Sequence, residues 1–151
     1  MRYLLVDRIL EWKPGQSIRG IKNVAMSEDF LEFHFPGKPV MPGLLLLEAL
    51  VQLAGWLEAV SSEFNNWLLL ERVERCMFYD FTVPGDGVEL EVRVRSESSS
   101  ATKVFAGYCA VDGKRKIAAE FSAVAVALDH LEEVQERKKH FQLLTRSEFL
   151  P

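Results

Sequence analysis

His34, Gly43 and Glu48 are the residues whose types and spacing could carry out chemistry. His34 precedes a Phe-Pro-Gly corner at residues 35–37, where a neutral imidazole shielded from water would be a good general base. Glu48 lies in an apolar run, and such surroundings favour the protonated carboxyl group that a general acid needs. Gly43 opens the predicted helix, so its amide, lacking an intrahelical partner, could bind a carbonyl oxygen. The three groups together fit removal of a proton next to a carbonyl and expulsion of a β-hydroxyl.

Each of these residues also has a purely structural interpretation. Glu48 could point to water at a helix edge or pair with an arginine, and His34 could be a hydrogen-bonded core histidine. Glu48 follows Pro42 by six residues, or about 9 Å along the helix axis. It need not reach the histidine of its own chain, and two antiparallel copies could bring one chain's His34 to the other's Glu48. The sequence leaves this open.

The elements that must position these residues predict an α+β domain. A helix is expected from Leu44 to Val60, with Pro42 at its first position, and it is apolar on nearly all sides. Such a helix must be wrapped, so we expect a curved antiparallel sheet folded around it. Two strands are predicted before the helix, SIRGIKNVAM and DFLEFHF, and four after it, ERVERCMFYDFTV, VELEVRVRS, KVFAGYCAV and KIAAEFSAVAVAL. In VELEVRVRS the glutamates and arginines alternate with valine and leucine, which predicts one buried and one solvent-facing side.

The composition bounds the class of protein. The chain has 151 residues, enough for one domain, and its 48% hydrophobic and 26% charged residues are ordinary for a soluble protein. The net charge of -4 argues against nucleic acid as the main partner. Glu48, Gln52 and Glu58 would be costly in a bilayer, so we expect a core helix and no membrane span. Two distant cysteines, Cys76 and Cys109, and no recognisable signal peptide favour buried reduced thiols and a cytoplasmic location.

Residues 129–151 form a charged tail outside the predicted domain of residues 1–128. Leu131, Val134, Lys138 and Phe141 follow a helical spacing, which predicts an appended amphipathic helix. We favour packing of one stripe on its own domain over a partner-binding role. His130 and His140 are expected to be solvated. No cluster in the sequence has metal-ligand spacing, and there is no phosphate-binding glycine loop.

The motif HFPGKPVMPGLLLLEALVQ resembles the signature of the (3R)-hydroxyacyl-[acyl-carrier-protein] dehydratases, the FabZ/FabA group with the hotdog fold. The resemblance covers roughly the first 127 residues, including RYLLVDRILEWKPGQSIRGIKNV, YDFTVPGDGVELEVRV and AVDGKRKIAAEFSAV. It implies a homodimer with two shared active sites, often a trimer of dimers, and a reaction without cofactor or metal. His34 would be the catalytic histidine, Gly43 the oxyanion donor and Glu48 the acid supplied by the other subunit. A glutamate at this position is typical of the FabZ type.

The resemblance also implies the substrate, a 3-hydroxyacyl thioester on the phosphopantetheine arm of an acyl-carrier protein, which becomes a trans-2-enoyl thioester. The acyl chain would lie in an apolar tunnel between subunits, and the predicted substrate-binding residues are Phe33, Phe35, Pro42 and Gln52. Phe33 stands where the family usually has glycine. The acidic carrier protein could dock on basic residues other than those that the family usually has. The candidates are Arg72, Arg75, Lys103, Lys114, Arg115 and Lys116.

Two other functions are compatible with a hotdog domain. One is an acyl thioesterase, which the pairing of His34 with Glu48 disfavours. The other is a non-catalytic acyl-binding protein, which Phe33 keeps open.

Overall fold

The computed structural model describes residues 3–97 and 101–147. Its strands and helices are, in chain order, β1 (Arg8–Lys13), β2 (Ser17–Asn23), a 3-10 turn (Asp29–Leu31), α1 (Gly43–Ser61), β3 (Asn66–Phe78), β4 (Gly87–Glu97), β5 (Thr102–Val111), β6 (Lys114–Ala127), a second 3-10 turn (Leu128–His130) and α2 (Val134–Thr145).

The strands of this described part form one antiparallel sheet in the order β1-β2-β4-β5-β6-β3. In the central strand β4, Val88, Leu90 and Val92 are buried on the helix side. β5 and β6 are joined by the tight Asp112-Gly113 turn that an Asp-Gly pair predicts, and both residues have positive φ. One long helix packs against this sheet through a shared apolar core, so the predicted α+β hotdog architecture is confirmed.

The core lies between the sheet and α1. Leu46, Leu50, Leu53 and Leu57 of the helix are at most 1% exposed and belong to the same apolar cluster as the inward side chains of the sheet. By length and composition α1 could cross a membrane, but 67% of its apolar window is buried inside the protein. It therefore has the burial of a core helix, as expected from its all-round apolar surface.

The segment DFLEFHF is not the predicted strand. It forms the first 3-10 turn and the loop that leads to His34. β2 is already paired with β1 on one edge and with β4 on the other, so it offers this segment no free edge. The loop is instead anchored by Glu28, whose carboxylate binds the buried ammonium of Lys22 at 2.5 Å.

The first strand was not predicted. β1 buries only Ile9 and carries a register shift after it, so its sequence lacks the alternation that marks a half-buried strand. It exists because β2 provides an edge to pair with. Smaller differences concern the helix, which begins at Gly43 with Pro42 as its N-cap, and Glu91, which is buried on the side predicted to face solvent.

The tail packs on its own domain, as the favoured interpretation expected. Phe141 of α2 meets Trp12 and Phe64 edge-on, with ring centroids 5.1 and 5.6 Å apart, and Leu144 is buried. His140 is not solvated as predicted: it is half-buried against Trp56. The division of the chain at residue 128 stays a prediction.

Both cysteines are free thiols, but only one is fully buried as predicted. Cys109 is buried in the core, whereas Cys76 on β3 is half-buried. Burial raises the pKa of both thiols, so neither is an activated nucleophile.

Candidate active site

His34 lies on a short loop that is held by its own backbone. The Val40 amide donates to the His34 carbonyl at 2.7 Å, and inside this pair Phe35 and Lys38 exchange N–H···O bonds of 3.1 and 2.9 Å. Gly37 has φ +74°, and the proline before it has a suitable fixed φ, so the corner fits a type II turn. The Phe-Pro-Gly corner therefore fixes the backbone that carries the histidine.

The imidazole of His34 has a defined orientation. Its Nδ1 lies 2.7 Å from the Val40 carbonyl oxygen, which can only accept a hydrogen bond. Nδ1 must therefore carry the hydrogen, and in the neutral ring Nε2 keeps a free lone pair. The ring also stacks on Phe35, with centroids 4.2 Å apart. This arrangement suits a general base that accepts a proton at Nε2.

His34 and Gly43 line the same pocket, which has a volume of about 430 Å³. Gly43 is the first residue of α1, and within the described chain its amide has no hydrogen-bond partner. A Cβ at this position would lie 2.6 Å from the ring of Phe78, so any larger residue would force that ring to shift. The structure thus brings a candidate base and an unpaired helix-end amide to one cavity.

The rim of this pocket is tied to the sheet. Asp80 binds Lys116 at 2.8 Å, and the Tyr79 amide donates to the Lys116 carbonyl at 2.9 Å. The hydrogen bond from Lys116 lowers the pKa of Asp80, helped by the Phe81 amide, so this rim carboxylate is ionised near neutral pH.

Glu48 is half-buried on α1 and is held by Gln52. The Gln52 amide nitrogen donates to Glu48 Oε1 at 3.0 Å and to the Tyr3 carbonyl at 2.9 Å, while its oxygen accepts from the Leu5 amide at 2.9 Å. The two backbone bonds determine which end of the Gln52 amide faces Glu48. The predicted i, i+4 pair on one helix face is therefore present, with the N-terminal segment as its clamp.

Glu48 and Gln52 line a different pocket from His34, of about 220 Å³, together with Tyr3, Trp56 and His140. Throughout residues 3–97 and 101–147, no side chain lines both cavities. One chain therefore does not bring Glu48 to His34, although it brings Gly43 there.

The remaining predicted substrate-binding residues lie outside both cavities. Phe33 is 76% exposed and lines neither, and Phe35 lines a shallow surface depression beside Pro39. Pro42 caps α1 immediately before Gly43. The described residues contain no group of three or more His, Cys, Asp or Glu side chains arranged to hold a metal.

Sequence reasoning missed several pocket residues, among them Thr82 and His140. Thr82 lines the His34 pocket, is 1% exposed, and its hydroxyl has no hydrogen-bond partner in the described residues. His140 reaches the Glu48 pocket from α2. Neither stands in a motif, since both reach their pockets only through tertiary packing.

Comparison with known proteins assigns the family. The FabA-like domain model matches residues 1–120. The 3-hydroxyacyl-[acyl-carrier-protein] dehydratase FabZ of Nitratidesulfovibrio vulgaris is 43% identical over 115 residues, which is 74% of this chain and 74% of that protein. The FabZ of Anaeromyxobacter sp. is 40% identical over 126 residues, 81% of this chain and 80% of its own.

A solved structure supports the fold. The hot-dog-like protein from Thermanaerovibrio acidaminovorans superposes with a TM-score of 0.63 at 19% identity, over 86% of this chain and 93% of that one. The match to the family model and the identity with the FabZ relatives show that the chain belongs to the FabA-like family, and within it to the FabZ type.

Proposed function

We propose that the protein is a hydro-lyase that removes water from a (3R)-3-hydroxyacyl thioester on acyl-carrier protein, giving the trans-2-enoyl thioester in fatty acid biosynthesis. Family membership and the names of the FabZ relatives support this activity. The observation that carries the mechanism is the hydrogen bond from His34 Nδ1 to the Val40 carbonyl, in the pocket that contains the Gly43 amide.

The proposed elimination breaks the C–H bond next to the thioester carbonyl and the C–O bond of the 3-hydroxyl, and it yields a carbon–carbon double bond and one molecule of water. His34 Nε2 takes a proton from the carbon next to the thioester carbonyl, and Gly43 N–H stabilises the negative charge that develops on the carbonyl oxygen. The dipole of α1 adds to this stabilisation, because its positive end lies at Gly43. Glu48 gives its proton to the departing 3-hydroxyl, and the electrons of the broken C–H bond form the new double bond. The reaction is redox-neutral, so it needs no electron acceptor.

The active site is shared between two subunits in this proposal. Within one chain His34 and Glu48 line separate pockets, so a second copy has to supply the acid. β3 is a 13-residue edge strand that exposes Leu69, Leu70, Val73 and Met77 by 40–48%, and pairing two β3 edges would cover them. We therefore assign a homodimer, with a trimer of dimers as a further assembly. The free thiols fit the reducing cytoplasm.

Complementation between inactive variants tests the shared site. His34→Ala and Glu48→Gln are each expected to lose most of the interconversion of 3-hydroxyacyl and enoyl thioesters, followed by enoyl absorbance and by mass. Removal of a general acid or base typically costs about 10²–10⁴-fold. When the two variants are co-expressed, half of the dimers are mixed and contain one intact site, so about a quarter of wild-type activity should return.

The outcomes separate the parts of the proposal. If both variants lose activity and co-expression restores none of it, the shared site is contradicted. His34 would still be the base and Glu48 the acid. Release of free thiol by the wild type would identify a thioesterase, and saturable binding without turnover would identify an acyl-binding protein. Either result would overturn the dehydratase assignment.

A further inference from the structure

The direction of the acyl chain follows from the proposed function, on which this inference rests. The thioester carbonyl lies at Gly43, the next carbon at His34, and the carbon that bears the hydroxyl at Glu48 of the other subunit. In this arrangement the rest of the acyl chain continues beyond Glu48, and the pocket that Glu48 and Gln52 line is the cavity next to it. Whatever closes that pocket limits the length of chain that it accepts.

The floor of the Glu48 pocket runs along one face of α1. Glu48, Gln52 and Trp56 follow one another at intervals of four residues, which spans about 12 Å of helix. Trp56 is 3% exposed and meets Trp67 edge-on at 5.1 Å. The Trp67 ring lies directly on Gly55, where a Cβ would come within 2.4 Å of it. These rings are closely packed, so the floor cannot recede to make room.

The far end of this pocket is closed by α2. His140 meets Trp56 edge-on at 5.1 Å, and the guanidinium of Arg137 lies 4.1 Å from the centre of the Trp67 ring, consistent with a cation–π contact. Arg137 also pairs with Glu132, which holds it in place. Both His140 and Arg137 line the cavity. The end of the pocket is therefore polar, whereas an extending alkyl chain needs apolar surroundings.

This wall lies outside the part of the chain that the family model matches. The FabA-like match ends at residue 120, and α2 begins at Val134. The helix is also fastened by contacts outside the pocket, since Phe141 packs on Trp12 and Phe64 and Leu144 is buried. Because the helix is fastened, His140 and Arg137 form a fixed stop, meaning a barrier that limits how far an acyl chain can extend in the cavity.

We infer that α2 is a specificity element, in which His140 and Arg137 restrict the enzyme to short acyl chains. An acyl chain that extends to Trp56 must displace these side chains or remove their water without replacing it, and desolvating polar groups with an alkyl chain costs free energy. One methylene group accommodated or refused in a pocket changes kcat/KM by roughly 10- to 200-fold.

The test compares kcat/KM for 3-hydroxybutyryl, 3-hydroxydecanoyl and 3-hydroxyhexadecanoyl thioesters in the full-length protein. For the wild-type protein, kcat/KM should decline as the acyl chain lengthens. His140→Ala should raise the ratio of decanoyl to butyryl turnover by about tenfold, because the stop is shortened. His140→Trp should lower the same ratio, because the stop is enlarged. Lys139→Ala is the matched control, since Lys139 lies on the exposed side of α2 and pairs with Glu136 one turn away.

If the ratio of decanoyl to butyryl turnover rises in His140→Ala and falls in His140→Trp, the stop is supported. Loosening of the helix would not shift this ratio in opposite directions in the two variants. A uniform change at all chain lengths would overturn it and leave α2 a structural helix, with the dehydratase activity intact. A wild type that prefers the hexadecanoyl thioester would also overturn it. No turnover at any length would remove the proposed function and this inference together.

Discussion

At the scale of single residues, Gln52 connects the N-terminal segment to the candidate acid. Its amide makes three hydrogen bonds, to Leu5, Tyr3 and Glu48, and the two backbone bonds leave it one orientation. We expect Gln52 to act as a positioning residue, because it touches the carboxyl group and lies next to the reacting centre without taking part in proton transfer.

Gln52→Leu should therefore affect stability and turnover together. The Leu5 amide and the Tyr3 carbonyl would lose their partner, which should lower the free energy of unfolding by roughly 1–3 kcal/mol in urea titrations. kcat should fall more than KM changes, since the carboxyl group of Glu48 loses its orientation, whereas leucine roughly preserves the volume of the side chain that lines the pocket. Gln135→Leu, an exposed position on α2, is the control. A rise in KM with unchanged kcat would show that Gln52 binds substrate instead.

At the scale of elements, β4 and β5 are joined on the outer face of the sheet by a buried carboxylate. Glu91 accepts hydrogen bonds from Tyr108 at 2.5 Å and from Arg93 at 2.7 Å. Burial pushes the pKa of Glu91 upward, but the Tyr108 and Arg93 hydrogen bonds outweigh it and hold the pKa below its ordinary value. The hydrogen bond to Glu91 in turn raises the pKa of Tyr108. This network explains why Glu91 breaks the alternation predicted for its strand.

The lowered pKa predicts a loss of stability in acid. A carboxyl group whose pKa is depressed by folding stabilises above the pKa of the unfolded chain, about 4.3 for glutamate, and this contribution disappears as the pH falls through the folded value. Glu91→Gln should lower the free energy of unfolding by about 1 kcal/mol at neutral pH and flatten its decline below about pH 5. Urea titrations across this range measure both. Glu89→Gln, an exposed glutamate on the same strand, should leave the decline unchanged; an equal effect there would contradict the assignment to Glu91.

At the scale of the whole molecule, the edge strand β3 is the feature that one chain leaves incomplete. It presents apolar side chains to solvent along an unpaired edge, and the two halves of the candidate site lie in separate pockets. Dimerisation through β3 would address both features, because it buries the strand and adds a second set of catalytic groups.

A charged edge should separate the subunits and abolish activity. Leu70→Lys with Val73→Lys places two cations on β3 at positions 42% and 40% exposed, so the fold of each chain should survive. Light scattering should show monomers, and dehydration should fall to the level of the His34 variant. Leu143→Lys, an exposed leucine on α2, should remain dimeric and active. A monomer with full activity would exclude the shared site.

Much of the fold follows from local patterns in the sequence. The apolar run of α1, the alternation in β4 and the Asp-Gly turn before β6 each act over a few residues, so they predicted the correct elements. Local patterns did not predict that β1 is a strand or that DFLEFHF is not one, because pairing in a sheet depends on which strand edges are free. Thr82 and His140 escaped prediction for a related reason: no neighbour in the sequence marks a residue whose role comes from a distant contact.

The sequence by itself determined that a histidine in a Pro-Gly corner precedes a helix whose first amide is free and whose apolar face carries a glutamate. Chain connectivity and helix geometry suffice for that, since both act within one segment. Only the tertiary structure decided which of these groups share a cavity: His34 joins Gly43, whereas Glu48 faces Trp56 and α2. The physical reason is that a cavity is formed by side chains from several elements, and their distances are set by packing across the sheet and helices.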